Sequence, residues 1–264
     1  MSLRIRKRFS IGYTPIVDRP TQGIELLRFG VVRLEAGGRW NQEAEPNRET
    51  ALIVLSGNCD IISNEDRWRD LNREDVFSRP ATGLYLPPGR PYEIVTNDPV
   101  EIAVITAPAE TGGPATLVRP EDVQVSHRGR ESWERDVHFI MTDNVDAERL
   151  LVAETFNQPG KWSSFPPHKH DEHRPPQEVK LEEFYFYKVK PEHGFGFQGV
   201  YTQDGDLDEA YMVENNDTIL FPRGYHPTVA APGYTLYYLW SLVGPERVMQ
   251  IYEDPDHTWV VEQD

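Results

Sequence analysis

The chain has 264 residues, enough for one large or two modest β domains with a substantial core. Its 27 Lys and Arg against 43 Asp and Glu give a formal net charge of −16, which repels polyphosphate and argues against nucleic acid or an anionic membrane as partner; an anionic small molecule would have to be met by a few local cations. The single cysteine, Cys59, cannot close an internal disulfide, no uncharged apolar run reaches membrane-spanning length, and the basic opening "MSLRIRKRFSIGYTPIV" lacks a secretory apolar segment, so a soluble cytoplasmic protein is expected.

Helical periodicity is scarce, whereas β-branched and aromatic runs bounded by Gly, Pro, Asn and Asp recur along the chain. In the first half these are "ALIVLSG" (51–57), "GLYLPPG" (83–89) and "EIAVITA" (101–107). The segment "APAETGGPATLVRPED" (107–122), rich in Pro and Gly, reads as a linker. Beyond it, "NVDAERLL" (144–151) predicts one short helix, followed by the strands "LLVAETF" (150–156), "EEFYFYKVK" (182–190), "DTILFP" (217–222) and "YTLYYLWSL" (234–242). Many short strands joined by 22 prolines predict an all-β sandwich or barrel. Each half also runs as an acidic residue leading an apolar strand, then a turn, a strand ending in a Pro-containing loop, and a closing apolar strand. That repeat predicts two similar β-barrel domains, 1–118 and 119–264.

The stretch "SSFPPHKHDEHRPP" (163–176) carries the densest chemistry. His168 and His170 are two apart, so in an extended chain both imidazoles project from one face, while Lys169 takes the other. Imidazole pairs suit divalent zinc, manganese, iron or nickel, but a carboxylate and a further imidazole must come from elsewhere. Glu182 and Glu183 open the next strand, and His226 follows a PxG turn in "FPRGYHP". His173 lies further into the loop and is expected to be exposed; His127, His138, His193 and His257 have no partners in sequence and default to surface or satisfied core.

An HxH, a downstream Glu and a PxG-turn His resemble the two metal-binding motifs of the cupin superfamily. More specifically, "GKWSSFPPHKHDE", "LEEFYFYKV", "GFGFQGVYT", "PRGYHP" and "YEDPDHTW", with "ALIVLSG", "LYLPPG", "RPEDV" and "SHRG" upstream, look like the 5-deoxy-glucuronate isomerase family of inositol catabolism, over nearly the whole chain. The resemblance implies a bicupin of two jelly-roll barrels and a metal held by His168, His170, Glu183 and His226, with Glu183 preferred to Glu182 because it directly precedes the aromatic strand. It implies conversion of 5-deoxy-D-glucuronate, a small sugar acid, to 5-dehydro-2-deoxy-D-gluconate. Nitrogen and oxygen ligation without thiolate puts zinc and manganese first. Three positions depart from the family pattern: Tyr187 stands where a His is usual, Gly199 where an Arg is usual, and Trp240 where an Asn is usual. Any of them that touches the substrate would alter the preferred sugar acid.

Strand parity places Tyr185 and Tyr187 on the face of Glu183, towards the barrel interior, with Phe184 and Phe186 on the other. Proton transfer is open to Tyr185, Tyr187, Glu154 of "VAETF", or a hydroxide at the metal. For the substrate carboxylate, Arg223 ranks first because a guanidinium can hold it by two parallel hydrogen bonds, with Arg128 and Lys169 as the other nearby cations. The first barrel has no HxH in "RWNQEAEPN" and no His after its PPG turn at 87–89, which predicts a metal-free domain. Apolar strands with open sheet edges predict a homo-oligomer. The same ligands could instead serve a related uronate isomerase, an iron-dependent cupin dioxygenase or a sugar-acid-binding cupin without turnover.

Overall fold

In the computed structural model, which describes residues 2–262, each apolar run forms a strand whose alternate side chains serve two different cores. Nine strands between Gly12 and Val118 form one sheet system, in which Arg48–Ser63 lies beside Val100–Pro108, and Val100–Pro108 beside Arg28–Leu34. A seven-stranded sheet contains Glu182–Lys190, Thr235–Val243, Leu151–Asn157, Arg135–Met141 and Gln124–Arg128 as successive neighbours. Along Glu182–Lys190, Tyr185 and Tyr187 enter a core completed by Val200, Val213 and Ala230 of a separate four-stranded sheet, which makes the second barrel. Phe184 and Phe186 face the opposite way, into a core shared with the first barrel, where Phe184 stacks on Phe29 at 4.2 Å between ring centres. Arg48–Ser63 does the same in reverse: Leu52 and Val54 fill the first barrel, and Ala51, Ile53 and Leu55 join the shared core. The chain is therefore all-β, with two jelly-roll barrels packed sheet against sheet.

The short helix read at 144–151 does not form. Residues 144–150 run as turns, bends and irregular chain and Leu151 already opens a strand, because the carboxylate of Glu49 in the first barrel accepts the backbone N–H groups of Glu148, Arg149 and Leu150, each at 2.8 Å. Fully buried Glu49 thus supplies the acceptor that a helical ladder would have supplied. A reciprocal contact runs the other way: Glu182 accepts from Glu25 and Leu26 at 2.9 Å and from Leu27 at 3.1 Å. Glu49 pairs with Ala107 and Glu182 with Val243, so the two glutamates hold equivalent places and clasp the barrels together. Among the described residues, α-helix is confined to Trp259–Glu262.

Thr116–Val118 closes the first sheet and Gln124–Arg128 opens the second, whereas Arg4–Arg6 pairs with Asp217–Phe221 of the second barrel. We keep 1–118 and 119–264 as a proposed division, with residues 4–6 lent across it.

Candidate metal centre

His168 sits on a two-residue strand, His168–Lys169, that pairs with Tyr252–Glu253. Its imidazole is partly buried, and burial together with the neighbouring His226 and His170 pushes its pKa well below the usual range, so it is neutral. The ring of His170 is oriented by Nδ1, which lies 2.9 Å from the Leu181 carbonyl and donates to it. His226 is held likewise by the Gly224 carbonyl at 2.9 Å. Gly224 is required there: its φ is +92°, and a Cβ would lie 2.7 Å from the Tyr201 carbonyl oxygen.

Both imidazoles therefore turn Nε2 towards one oxygen of Glu183, at 3.0 Å from His170 and 3.2 Å from His226. The three donor atoms lie within 4.8 Å of one another, all buried. The His168 ring stands 4.7 Å from that of His226 and 6.5 Å from that of His170. Two ligands about 2.1 Å from an ion and at right angles are separated by about 3 Å, so the Glu183–imidazole spacings match edges of a metal polyhedron. His226 Nε2 is buried, and its 3.2 Å approach to Glu183 is not an aligned hydrogen bond, so the atom is left for a metal ion to satisfy. Burial raises the Glu183 pKa, but His170 and His226 outweigh it and hold the carboxyl below its usual value, in the ionised form a ligand needs. The residues present fit a divalent cation.

Glu182 has no part in this cluster, since its oxygens are taken by the 25–27 backbone. Glu182→Ala should therefore cost about 3 kcal/mol by leaving those N–H groups unpaired, while metal stoichiometry stays unchanged; denaturant midpoint and elemental analysis of the same sample would read both. Loss of metal would overturn the assignment of Glu183.

A cavity of about 300 Å³ opens onto His168, His170, Glu183 and Tyr185. Tyr185 Oη is 2.8 Å from Ser164 Oγ, and Ser164 adopts a left-handed φ of 48°, a strained position for a serine. Burial and the Glu183 charge raise the Tyr185 pKa well above 10, so it is a neutral phenol. Four expected site residues fall elsewhere. Tyr187 is buried off the cavity and donates to Gln198 Oε1 at 2.6 Å; Gln198 donates in turn to the His226 carbonyl at 2.8 Å, so this pair braces the loop behind His226. Glu154 lies on the other face of its strand, in a fully buried ion pair with Arg73 at 2.8 Å and 3.3 Å from His138 Nδ1. Arg223 is exposed and paired with Asp206. Lys169 is spent on Glu178 at 3.1 Å and on Asp171, in a loop that Glu178 also ties by accepting from the Asp171 and Glu172 backbone. His173 is half exposed beside Glu246, as its loop position suggested.

Arg128 does line the cavity, and so does Arg135, which sequence reasoning missed. The signal was there: Arg135, Val137 and Phe139 alternate in "RDVHFIM", and reading that segment as a strand would have placed all three on one face. Of the three departures from the family pattern, only Trp240 reaches the cavity, with its Nε1–H donated to Thr155 at 2.9 Å. In the first barrel the place of Glu183 is held by Thr50, paired with Thr106 as Glu183 is with Leu242; a threonine there offers no carboxylate.

The model of the KduI/IolB family, which spans both barrels and every residue of the cluster, matches residues 6–260. The chain belongs to the KduI/IolB family. Relatives in this family include the 5-deoxy-glucuronate isomerase of Geobacillus thermodenitrificans, 41% identical over 248 residues that cover 93% of this chain and 90% of the relative. The protein of the same name from Bacillus subtilis strain 168 is 37% identical over 94% of this chain and 92% of its own. Among solved structures, an IolB-like protein from Salmonella typhimurium matches with a TM-score of 0.93 at 32% identity, covering 99% of this chain and 100% of that one. An oxalate decarboxylase from Lactobacillus farciminis matches at 0.68 and 12% identity over 100% and 91% of the two chains, a likeness of fold alone.

Proposed function

We propose that this KduI/IolB member is a metal-dependent aldose–ketose isomerase that converts 5-deoxy-D-glucuronate to 5-dehydro-2-deoxy-D-gluconate in inositol catabolism, in the cytoplasm. The observation that carries the reading is the convergence of His170, Glu183 and His226 on one point at a cavity that also presents a neutral tyrosine. His168, His170, Glu183 and His226 would hold the ion, zinc or manganese first. When bound, it supplies positive charge beside the substrate carbonyl and neighbouring hydroxyl, where negative charge develops as the C–H bond between them is broken.

The chain's own groups orient the ligands and move the hydroxyl proton; the proton that leaves C2 is returned to C1, and the base that carries it is neither Tyr187 nor Glu154, which both lie off the cavity. Leu181 and Gly224 carbonyls fix the tautomers of two ligands, so the Nε2 lone pairs face inward. Tyr185 keeps its proton at neutral pH and, through Oη and the Ser164 hydroxyl, can pass the hydroxyl proton from O2 to O1 of the sugar without ionising. Tyr187 and Glu154 take no part in this step. The expected result for Tyr185→Phe is a fall in kcat of roughly 10²-fold or more with metal content unchanged, and for Tyr187→Phe a smaller effect. Equal losses in the two would sink the assignment.

The deciding assay incubates the purified, metal-assayed protein with 5-deoxy-D-glucuronate and follows loss of the aldehyde proton by NMR. Full metal content with no loss would remove the isomerase reading. Among the described residues, no helix is long and apolar enough to cross a membrane. A homo-oligomer belongs to the same proposal and is read by sedimentation.

A further inference from the structure

Arg128 and Arg135 face each other directly across neighbouring antiparallel strands. Like charges so placed repel, and strand pairs usually avoid them or insert a counter-ion. Here none is inserted: among the described residues neither guanidinium forms an ion pair with a carboxylate, although the chain has 43 acidic residues to 27 basic ones. Arg135 is partly buried, with Nη1 3.2 Å from the Trp133 carbonyl, and Glu253 acts on it only at a distance. Arg128 lies over the ring of Phe139, 5.3 Å from its centre. Both line the cavity that holds the His and Glu cluster.

We propose that Arg128 and Arg135 together receive the carboxylate of the substrate, and that Phe139 and Trp240 then meet the carbon next to it. This rests on the isomerase reading for the identity of the sugar acid, but the anion site itself rests on the uncompensated arginines. Two guanidiniums suit one carboxylate, which has two oxygens to receive N–H donors from both sides. Because Arg128 is stacked on Phe139, and Phe139 stands edge-on to Trp240 at 6.3 Å, a carboxylate on Arg128 brings its α-carbon to an aromatic wall. The Trp240 N–H is already given to Thr155, so that wall offers ring faces and no free donor. In 5-deoxy-D-glucuronate the α-carbon is a methylene, which suits the wall, whereas D-glucuronate would bury a hydroxyl there without a partner. A largely apolar wall rejects an added hydroxyl by about 10²-fold at most, so the discrimination expected is roughly 10- to 100-fold in kcat/KM.

The test compares wild type, Arg135→Gln and Arg128→Gln on three substrates: 5-deoxy-D-glucuronate, its methyl ester, and D-glucuronate. Wild type should prefer the acid to the ester by about 100-fold, and each variant should cut that ratio at least tenfold, mostly through KM. Calorimetric titration with adipate, an unreactive six-carbon dicarboxylate, reads the same site without turnover: each variant should weaken binding at least tenfold. Arg128 is exposed, so its variant keeps the test valid if Arg135→Gln fails to fold. An acid-to-ester ratio unchanged in Arg128→Gln, or adipate binding that is absent in wild type or unaffected by the substitution, would overturn the proposal. Inactive wild type with arginine-dependent adipate binding would overturn the isomerase reading and leave the anion site standing.

Discussion

Glu183→Ala should yield a folded protein with little bound metal and kcat reduced by roughly 10³-fold or more, because it removes the one oxygen on which His170 and His226 converge. The two imidazoles keep their Nδ1–H bonds to Leu181 and Gly224, so the rings stay in place and the loss is one of ligation rather than of fold. Glu183→Gln is the sharper variant. It preserves volume and one oxygen but not the negative charge, and it should retain part of the metal affinity without restoring turnover. Metal content, melting temperature and NMR turnover on one preparation separate these effects. Glu183→Ala with full metal and ordinary activity would end the assignment of the site.

Arg73→Ala is expected to have the largest effect on stability. Its guanidinium donates to both oxygens of Glu154, at 2.9 and 2.8 Å, and to the carbonyls of Val76 and Arg79, with both partners of the ion pair fully buried. Removing one member of such a pair leaves an unpaired buried charge and costs about 3–5 kcal/mol, equivalent to about 10 °C in melting temperature for a chain of this size. Arg73 comes from the first barrel and Glu154 from the second, so the pair joins the two halves as the Glu49 and Glu182 clasps do. Glu154→Gln should destabilise in the same direction and leave kcat within about threefold, since Glu154 stands on the far face of its strand from the cavity. A large loss of kcat in a fully folded Glu154→Gln protein would return that residue to the active site.

The pH dependence follows with a definite sign. Burial raises the pKa of Glu154, but Arg73 and His138 outweigh it, so the folded value lies below the ordinary 4.5. The unfolded chain therefore binds the proton more readily, and the stability due to ionised Glu154 is fully present above about 4.5 and is lost as pH falls below that towards the folded value. Glu154→Gln lacks this contribution, so the gap in denaturant midpoint between wild type and variant should close in acid. A gap that widens as pH falls would contradict the ion pair.

Much of the fold and of the centre was legible because it depends on local rules. Side-chain alternation is a property of any extended chain, so "EEFYFYKVK" declared its two faces, and the structure sends Tyr185 and Tyr187 one way and Phe184 and Phe186 the other. The same rule put His168 and His170 on one side of Lys169. The helix at 144–151 failed because a local pattern met a distant acceptor, Glu49, about 100 residues away in sequence.

What the sequence determined by itself was the all-β architecture, its repeat, and the His and Glu residues that could meet. What only the tertiary structure decided was how the charges are spent. Glu154 looked available until Arg73, 81 residues upstream, was brought against it. Arg223 and Lys169 were likewise taken by Asp206 and Glu178, whereas Arg135, unremarked in the chain, was left facing Arg128 at the cavity. The reason is physical: strand parity is set by covalent geometry within a few residues, whereas the partner of a charge depends on which distant strands approach it and how much water they exclude.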